Sequence, residues 1–440
     1  MPMGGGNFTL QNKVIPGAYI NVIAGSTTVT AGSRGIAALP VVMSWGAEKQ
    51  LVPMDAGDFT KNAVSVLGYS ATSPELLLIR EAFKRAKTLL IYRVNGGGEK
   101  ATVTAGGVTA TAKYNGVRGN DIKIAVLTNP DGGFDVVTYL DNTEADKQTV
   151  TAVTELVDNA LVNFSGNGSL SAVAAAPLAG GTDGDATGED YSDFLAAVEV
   201  EEFNTVGYCG DDITVKALFN SFIKRVRDDE GKKAVCVLAN YPNADHEGVI
   251  SVKNGVTLED GTELTPEQAV AWVTGASAAA EINESLTNTV YEGAVNVSEK
   301  YTKSQYEAAI KAGEFVFYAE GGKVRVLRDI NTLVTYGGGK SADFVSNRLI
   351  RTLDGWANDV AALFGNSYLG LQSNDATGRD LFKGDLVKLG QQYQSIRAIT
   401  NFKVEDIVIS QGNGKADVAV NSALQPVDSM EKLYMTVTVV

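Results

Sequence analysis

The sequence predicts an α+β multidomain chain: an α/β core, an inserted β-rich domain, and extended arms at the N- and C-terminal ends. Three observations carry this reading. Between Arg34 and Val94 apolar residues fall into strand runs and a helical stripe, whereas past Gly96-Gly97-Gly98 the apolar period becomes two. Strand–helix–strand order returns after Pro177. With 47 glycines against 10 prolines, the chain is rich in turns and hairpins.

Met1 to Ile15 holds Gly4-Gly5-Gly6 and few apolar residues, and it reads as an arm with little structure of its own. Pro16-Gly17 punctuates it. Ala18 to Ile23 then reads as a strand with Ala18, Ile20 and Val22 on one face. Gly35 to Ser44 is an apolar strand. Ser73-Pro74-Glu75 opens a helix, with Ser73 as cap and Pro74 in the first helical position, and Leu76, Ile79, Phe83 and Ala86 form its stripe. Leu89 to Val94 is a buried strand.

Ala101, Val103 and Ala105 alternate, Gly106-Gly107 turns, and Val108, Ala110 and Ala112 alternate again, which predicts a hairpin. Ile122–Leu127 and Phe134–Tyr139 flank Asp131-Gly132-Gly133 in the same way. A helix is expected near Val150 to Leu161. Pro177 to Gly188 reads as the loop back into the α/β body. Thr205–Gly210, Ile213–Arg227 and Lys233–Asn240 then read as strand, helix and strand, a parallel β-α-β unit. Thr265-Pro266-Glu267-Gln268 combines a Thr cap, a first-turn proline and a capping-box Gln, predicting a helix to about Ile282. Thr302 and Gln305 repeat that spacing, and Gly313 closes the helix they start. Glu314–Tyr318 and Lys323–Leu327 form a hairpin around Gly321-Gly322.

The strongest helical pattern follows. Val345, Leu349, Leu353, Trp356, Val360 and Phe364 recur at spacings of three and four, with Asn347, Arg348, Arg351, Asp354 and Asn358 opposite them. Last comes a strand, Leu433, Met435, Val437 and Val439 on one face and Tyr434, Thr436 and Thr438 on the other. No hairpin partner follows it, so its backbone groups need a sheet edge elsewhere.

Composition narrows the function. The net charge of −15 makes direct nucleic-acid binding unexpected, because phosphate neutralisation needs clustered Lys and Arg. Hydrophobic residues at 44% and charged residues at 20% suit a soluble globular chain. Cys209 and Cys236 lie in apolar runs and read as buried free thiols of a protein made in the cytoplasm. Met1 to Asn12 has no basic start followed by an apolar core, so no secretory leader is expected, and no apolar run is long enough to span a bilayer. A single histidine, His246, lowers the prior for acid–base or transition-metal chemistry.

No segment assembles a reaction centre, and no catalytic, cofactor-binding or metal-ligating residue is assigned. Thr335 to Ser341 (TYGGGKS) imitates the end of a phosphate loop. Val334 stands where a P-loop needs its first glycine, so the segment reads as a flexible turn with Ser341 as a helix cap. Asp211-Asp212, at a strand-to-helix junction, could hold Mg²⁺ but reads first as a cap. Glu199, Glu201 and Glu202 read as a solvated face. Cys209 lacks a nucleophile signature, and the sequence does not tie His246 to it.

Five stretches, in order, carry a resemblance: KYNGVRGNDI (113–122), PLAGGTDG (177–184), VRVLRDINTLVT (324–335), NRLIRTLDGWANDV (347–360) and QPVDSMEKLYMTV (425–437). Together they resemble the tail sheath proteins of contractile phages, prophage-like particles and contractile bacteriocins, in the version of Gram-positive phages. The resemblance implies an N-terminal arm with a donated strand (1–33), a core in two parts (34–95 and 181–340), an inserted β-rich domain (96–180) and a conserved C-terminal domain (341–440). It implies hexameric rings of the chain stacked around a tail tube protein, with baseplate and tail terminator proteins as further partners, and contraction that drives the tube through a cell envelope. Such a protein would reside in a virion tail, or a phage-tail-like particle, assembled in the host cytoplasm, without cofactors and without direct contact with membrane. Ala18, Ile20, Val22, Leu433, Met435, Val437 and Val439 are the expected strand-donating residues, and Arg348 and Arg351 the expected tube-facing pair. An α/β hydrolase-like or nucleotide-binding enzyme and a self-assembling surface-array protein are the alternatives.

Overall fold

A computed structural model describes residues 34–439, together with the backbone of two short strands, Gly4–Gly6 and Gly17–Tyr19. The chain divides into two units, Arg34–Asp354 with Pro426–Val440, and Gly355–Gln425 with Met1–Ser33.

The first unit is organised by a seven-stranded sheet ordered Glu314–Phe315, Val249–Val252, Val235–Ala239, Thr205–Gly207, Ile36–Val41, Thr88–Arg93 and Leu51–Asp55. All neighbours are parallel except the last pair, which is antiparallel. Parallel sheets are covered on both faces, which explains the near-continuous apolar runs. Ala38, Leu90 and Tyr92 join Phe194, Phe219 and Ile223 on one face, while Ala37, Leu39 and Ile91 join Phe59, Ile79 and Ala82 on the other. The helices Gly188–Glu199 and Ile213–Asp228 supply the first cover and Pro266–Ala279 part of the second. Pro266–Ala279 is buried nearly all round, and Gly275 lets it approach the Ala82 carbonyl so closely that a Cβ would stand 2.2 Å from that oxygen.

The β-rich insertion forms two antiparallel sheets. One has four strands, ordered Thr143–Val150, Phe134–Leu140, Ile122–Thr128 and Val173–Pro177; the other has three, ordered Val162–Ser165, Val108–Ala112 and Thr102–Ala105. Trp45 of the core enters the apolar cluster between them and meets Tyr114 edge-on, centroids 5.4 Å apart. Arg118 of the insertion donates from Nε to the Gly68 carbonyl at 2.8 Å, lies over the Tyr69 ring and pairs with Asp121 and Asp141.

The helix expected near Val150–Leu161 is a single 3-10 turn, Val153–Glu155, followed by loop. Side chains take over the backbone donors there: Asn159 Oδ1 accepts from Leu161 and Val162, and Asp158 Oδ1 from Phe164. Such local bonds compete with a helix ladder.

In the second unit the helix that begins at Asn347 continues to Ser367, and a second helix runs from Ala376 to Ser395. A hairpin, Ile407–Gln411 with Val418–Ser422, completes it. Trp356 meets Tyr393 edge-on at 5.5 Å and donates from Nε1 to Ser422 Oγ, and the Tyr393 hydroxyl donates to Asp359 at 2.6 Å.

Candidate assembly interface

The tail Pro426–Val440 belongs to the first unit and changes character at Glu431. Before that point it is held. Ser346 Oγ donates to Asp428 Oδ1 at 3.1 Å. Glu431 accepts from Thr287 Oγ1 on one oxygen and from Arg328 Nε on the other, both at 2.8 Å. Beyond Lys432 the side chains face solvent: Leu433 is 85% exposed, Tyr434 88%, Met435 73%, Val437 73% and Val439 93%. Among the described residues this segment pairs with no strand. The sequence expected a strand there, and the residues that would make it are present without a partner. A large β-forming segment left open to water is a candidate interaction surface.

An open sheet edge occurs in the second unit. The hairpin Ile407–Gln411/Val418–Ser422 is a two-stranded sheet whose outer edges carry no third strand among the described residues, and Val408 and Val420 are exposed on it. Beside Val418 lies an open groove of about 430 Å³, lined by Phe364, Tyr368, Leu369 and Phe382.

At the N-terminal end, Ala18 lies in the Gly17–Tyr19 strand, paired in parallel with Gly5 of Gly4–Gly6. Ile20 and Val22 lie outside the described residues.

The arginine pair departs from expectation. Arg351 is not an exposed, tube-facing cation. It is buried, with Nη1 donating to the Glu284 carbonyl at 2.6 Å and Nη2 paired with Asp329 at 3.3 Å. Asp329 also accepts from the Leu286 amide and Asn347 Nδ2, so one buried carboxylate organises the start of the long helix. One turn on, Asp354 takes both terminal nitrogens of Arg227 at 2.6 and 2.8 Å. Burial lowers the pKa of the Arg227 guanidinium, and the Asp354 charge overrides this and raises it. The supposed polar face is therefore a row of internal ion pairs. Arg348 is half-buried, with its Nε enclosed and unpartnered. Sequence reasoning missed Asp329, Thr287 and Glu431. The Arg328-Asp329-Ile330-Asn331 run inside an apolar stretch was the available signal, since polar residues there need partners.

The segments that imitate enzyme sites have structural uses. Lys340 is paired with Glu247 at 2.7 Å, and Ser341 Oγ accepts from the Asp343 amide to cap a 3-10 turn. Asp212 caps its helix by accepting from Thr214 at 2.7 Å and Val215 at 3.3 Å, and these backbone donors hold its carboxyl below the usual range. Burial pushes the Cys209 thiol up to about 12, where almost no thiolate exists at neutral pH. Asp228, His246 and Glu247 gather within 4.8 Å of one another. His246 Nδ1 accepts from the Gly248 amide, so in the neutral ring Nε2 carries the proton and points an N–H at Asp228, not a lone pair at a cation. Among the described residues no helix is long and apolar enough to cross a membrane.

Comparison with known proteins agrees along the chain. Residues 34–94 match the domain III N-terminal region of tail sheath protein Gp18, 96–183 the phage tail sheath β-sandwich domain, 184–332 the phage tail sheath central domain and 339–440 the phage tail sheath C-terminal domain. The phage-like element PBSX protein XkdK of Bacillus subtilis (strain 168) is 39% identical, covering 99% of this chain and 100% of its own length. The solved sheath tail protein of Desulfitobacterium hafniense has a TM-score of 0.86 and 46% identity, covering 95% of this chain and 99% of its own. The contracted helical sheath of the anti-feeding prophage, at 12% identity over 97% of this chain and 99% of its own, shares the fold with a TM-score of 0.58. Fold and sequence together define a structural component of a phage tail, a class that is not enzymatic. The chain belongs to the phage tail sheath protein family.

Proposed function

We propose that copies of this chain polymerise as stacked hexameric rings around a tail tube, and that the cylinder contracts to drive the tube through a cell envelope. The observation that carries this is the tail Leu433–Val439, fastened at its root, strand-forming in sequence and without a strand partner among the described residues. On this reading the tail adds to an edge of the hairpin Ile407–Gln411/Val418–Ser422 in another copy. Strand addition along a five-residue edge supplies about four to six main-chain hydrogen bonds, and alternate side chains set the register. The groove beside Val418 suits a large side chain such as Tyr434 or Met435. The N-terminal arm, expected to donate Ala18, Ile20 and Val22, makes a second link. Subunits joined by strands at both ends can rotate and slide without separating.

Residues 34–95 and 181–340 form the core of the ring, 96–180 the inserted domain, and 341–440 the conserved C-terminal part. Tube, baseplate and terminator proteins are the other partners. Arg348 is the arginine left to meet an acidic tube surface through a salt-sensitive pair. Energy is stored at assembly in a metastable extended lattice, and contraction needs no nucleotide.

Deleting Leu433–Val440 tests the reading. The truncated subunit folds with wild-type stability and forms no cylinders by negative-stain electron microscopy. Normal cylinders from the truncated chain would refute it.

A further inference from the structure

The tail leaves its subunit at one point, and three hydrogen bonds around Glu431 define it. Thr287 Oγ1 donates to Glu431 Oε1, Arg328 Nε donates to Oε2, and Thr287 Oγ1 in turn accepts from the Asp329 amide at 2.9 Å. Asp329 is the buried carboxylate that also holds Asn347 and Arg351 of the long helix. The root of the tail is thus tied, through Thr287, to the residue that fixes the start of that helix.

We propose that Glu431 is the positioning residue of intersubunit linkage: it clamps the root of the tail so that the segment after it leaves in one direction and with one free length. This rests on the strand-donation reading above. The free segment Lys432–Val439 spans about 26 Å when extended. Without the clamp, the last fixed point retreats to Asp428, and the tail gains three residues of slack. A lattice whose subunits must keep register while sliding needs that length held constant. Glu431 is well suited to the task because its pair with Arg328 is only partly buried, with side chains 18% and 31% exposed, so the fold itself depends little on it.

The test uses full-length chains with a nitroxide pair at K323C and L433C, both exposed positions, in otherwise wild-type, Glu431→Ala and Glu431→Gln backgrounds. Residue 433 is two residues beyond Glu431 but five beyond Asp428. In Glu431→Ala its r.m.s. excursion should therefore grow by the square root of that ratio, about 1.6-fold, while the unfolding midpoint stays unchanged. Glu431→Gln keeps an acceptor for Thr287 and restores most of the narrow distribution. In assembled samples, Glu431→Ala cylinders lose the helical order that wild-type and Glu431→Gln cylinders show. An unchanged distance distribution in Glu431→Ala, or cylinders as ordered as wild type, would overturn the clamp. Failure of wild-type chains to form cylinders would instead strike the strand-donation reading, because the distance measurement on single subunits stands apart from it.

Discussion

Replacing Arg351 separates an internal role from a tube-facing one. The guanidinium is buried against Asp329, and the pair has side-chain exposures of 3% and 1%. Removing one member of such a pair leaves an uncompensated buried charge and costs about 3–5 kcal/mol. Asp329 keeps two donors in Arg351→Ala, the Leu286 amide at 2.9 Å and Asn347 Nδ2 at 2.8 Å. The loss therefore falls at the lower end, about 3 kcal/mol, or about a hundredfold in the folding equilibrium. Arg351→Glu sets a second carboxylate beside Asp329 and costs more. The assay is urea unfolding of dilute, unassembled subunits, with hydrogen exchange at the amides of residues 347–354 to report the region locally, because a chain of two units does not unfold in one step. A loss below about 1 kcal/mol in Arg351→Ala, with an accompanying defect in loading onto tubes, would refute the internal role and restore the exposed one.

Two further outcomes follow from the packing. Trp45→Ala empties the centre of the β-rich insertion and should lower its stability by about 3–5 kcal/mol, read from the exchange of sandwich amides while the core sheet holds. Burial holds the His246 pKa below its ordinary value, with Glu247 the strongest opposing influence. The folded chain thus binds fewer protons there than the unfolded one. Stability from this group is fully present above the unfolded pKa of about 6.5 and declines as pH falls through it. Thermal midpoints across pH 5–8 should show that slope in wild type and a shallower one in His246→Asn; equal slopes would count against it.

The sequence made legible whatever depended on one short stretch. The parallel unit around Ile213–Arg227 followed from period and length, and the helices after Thr265 and Thr302 from their capping boxes, both of which form. The hairpin at Gly106-Gly107 followed from turn chemistry. What stayed hidden depended on partners distant in sequence. Arg351 reads as a surface cation on a helical wheel until Asp329 and the Glu284 carbonyl arrive from other segments. The helix Ala376–Ser395 is not legible in the sequence because its glycines, Gly378, Gly384 and Gly390, blur the apolar stripe. Gly390 is required by Phe402, whose ring would lie 2.2 Å from a Cβ there. The hairpin at Ile407–Ser422 was equally quiet: only Ile407 is fully buried in its first strand, and its alternation is weak. Of the proposed interface, the donor segment was visible as alternation from Leu433 to Val439, whereas the clamp at Glu431 was not, because a lone glutamate carries no local pattern.

Hydrogen exchange compared between free subunits and assembled cylinders tests the linkage most directly. The amides of Leu433–Val439 should exchange at near-unprotected rates in the free subunit. On assembly they should slow by at least about a hundredfold, together with outer-edge amides of Ile407–Gln411 or Val418–Ser422. Tail amides that exchange as fast in the cylinder as in the free chain would contradict the account.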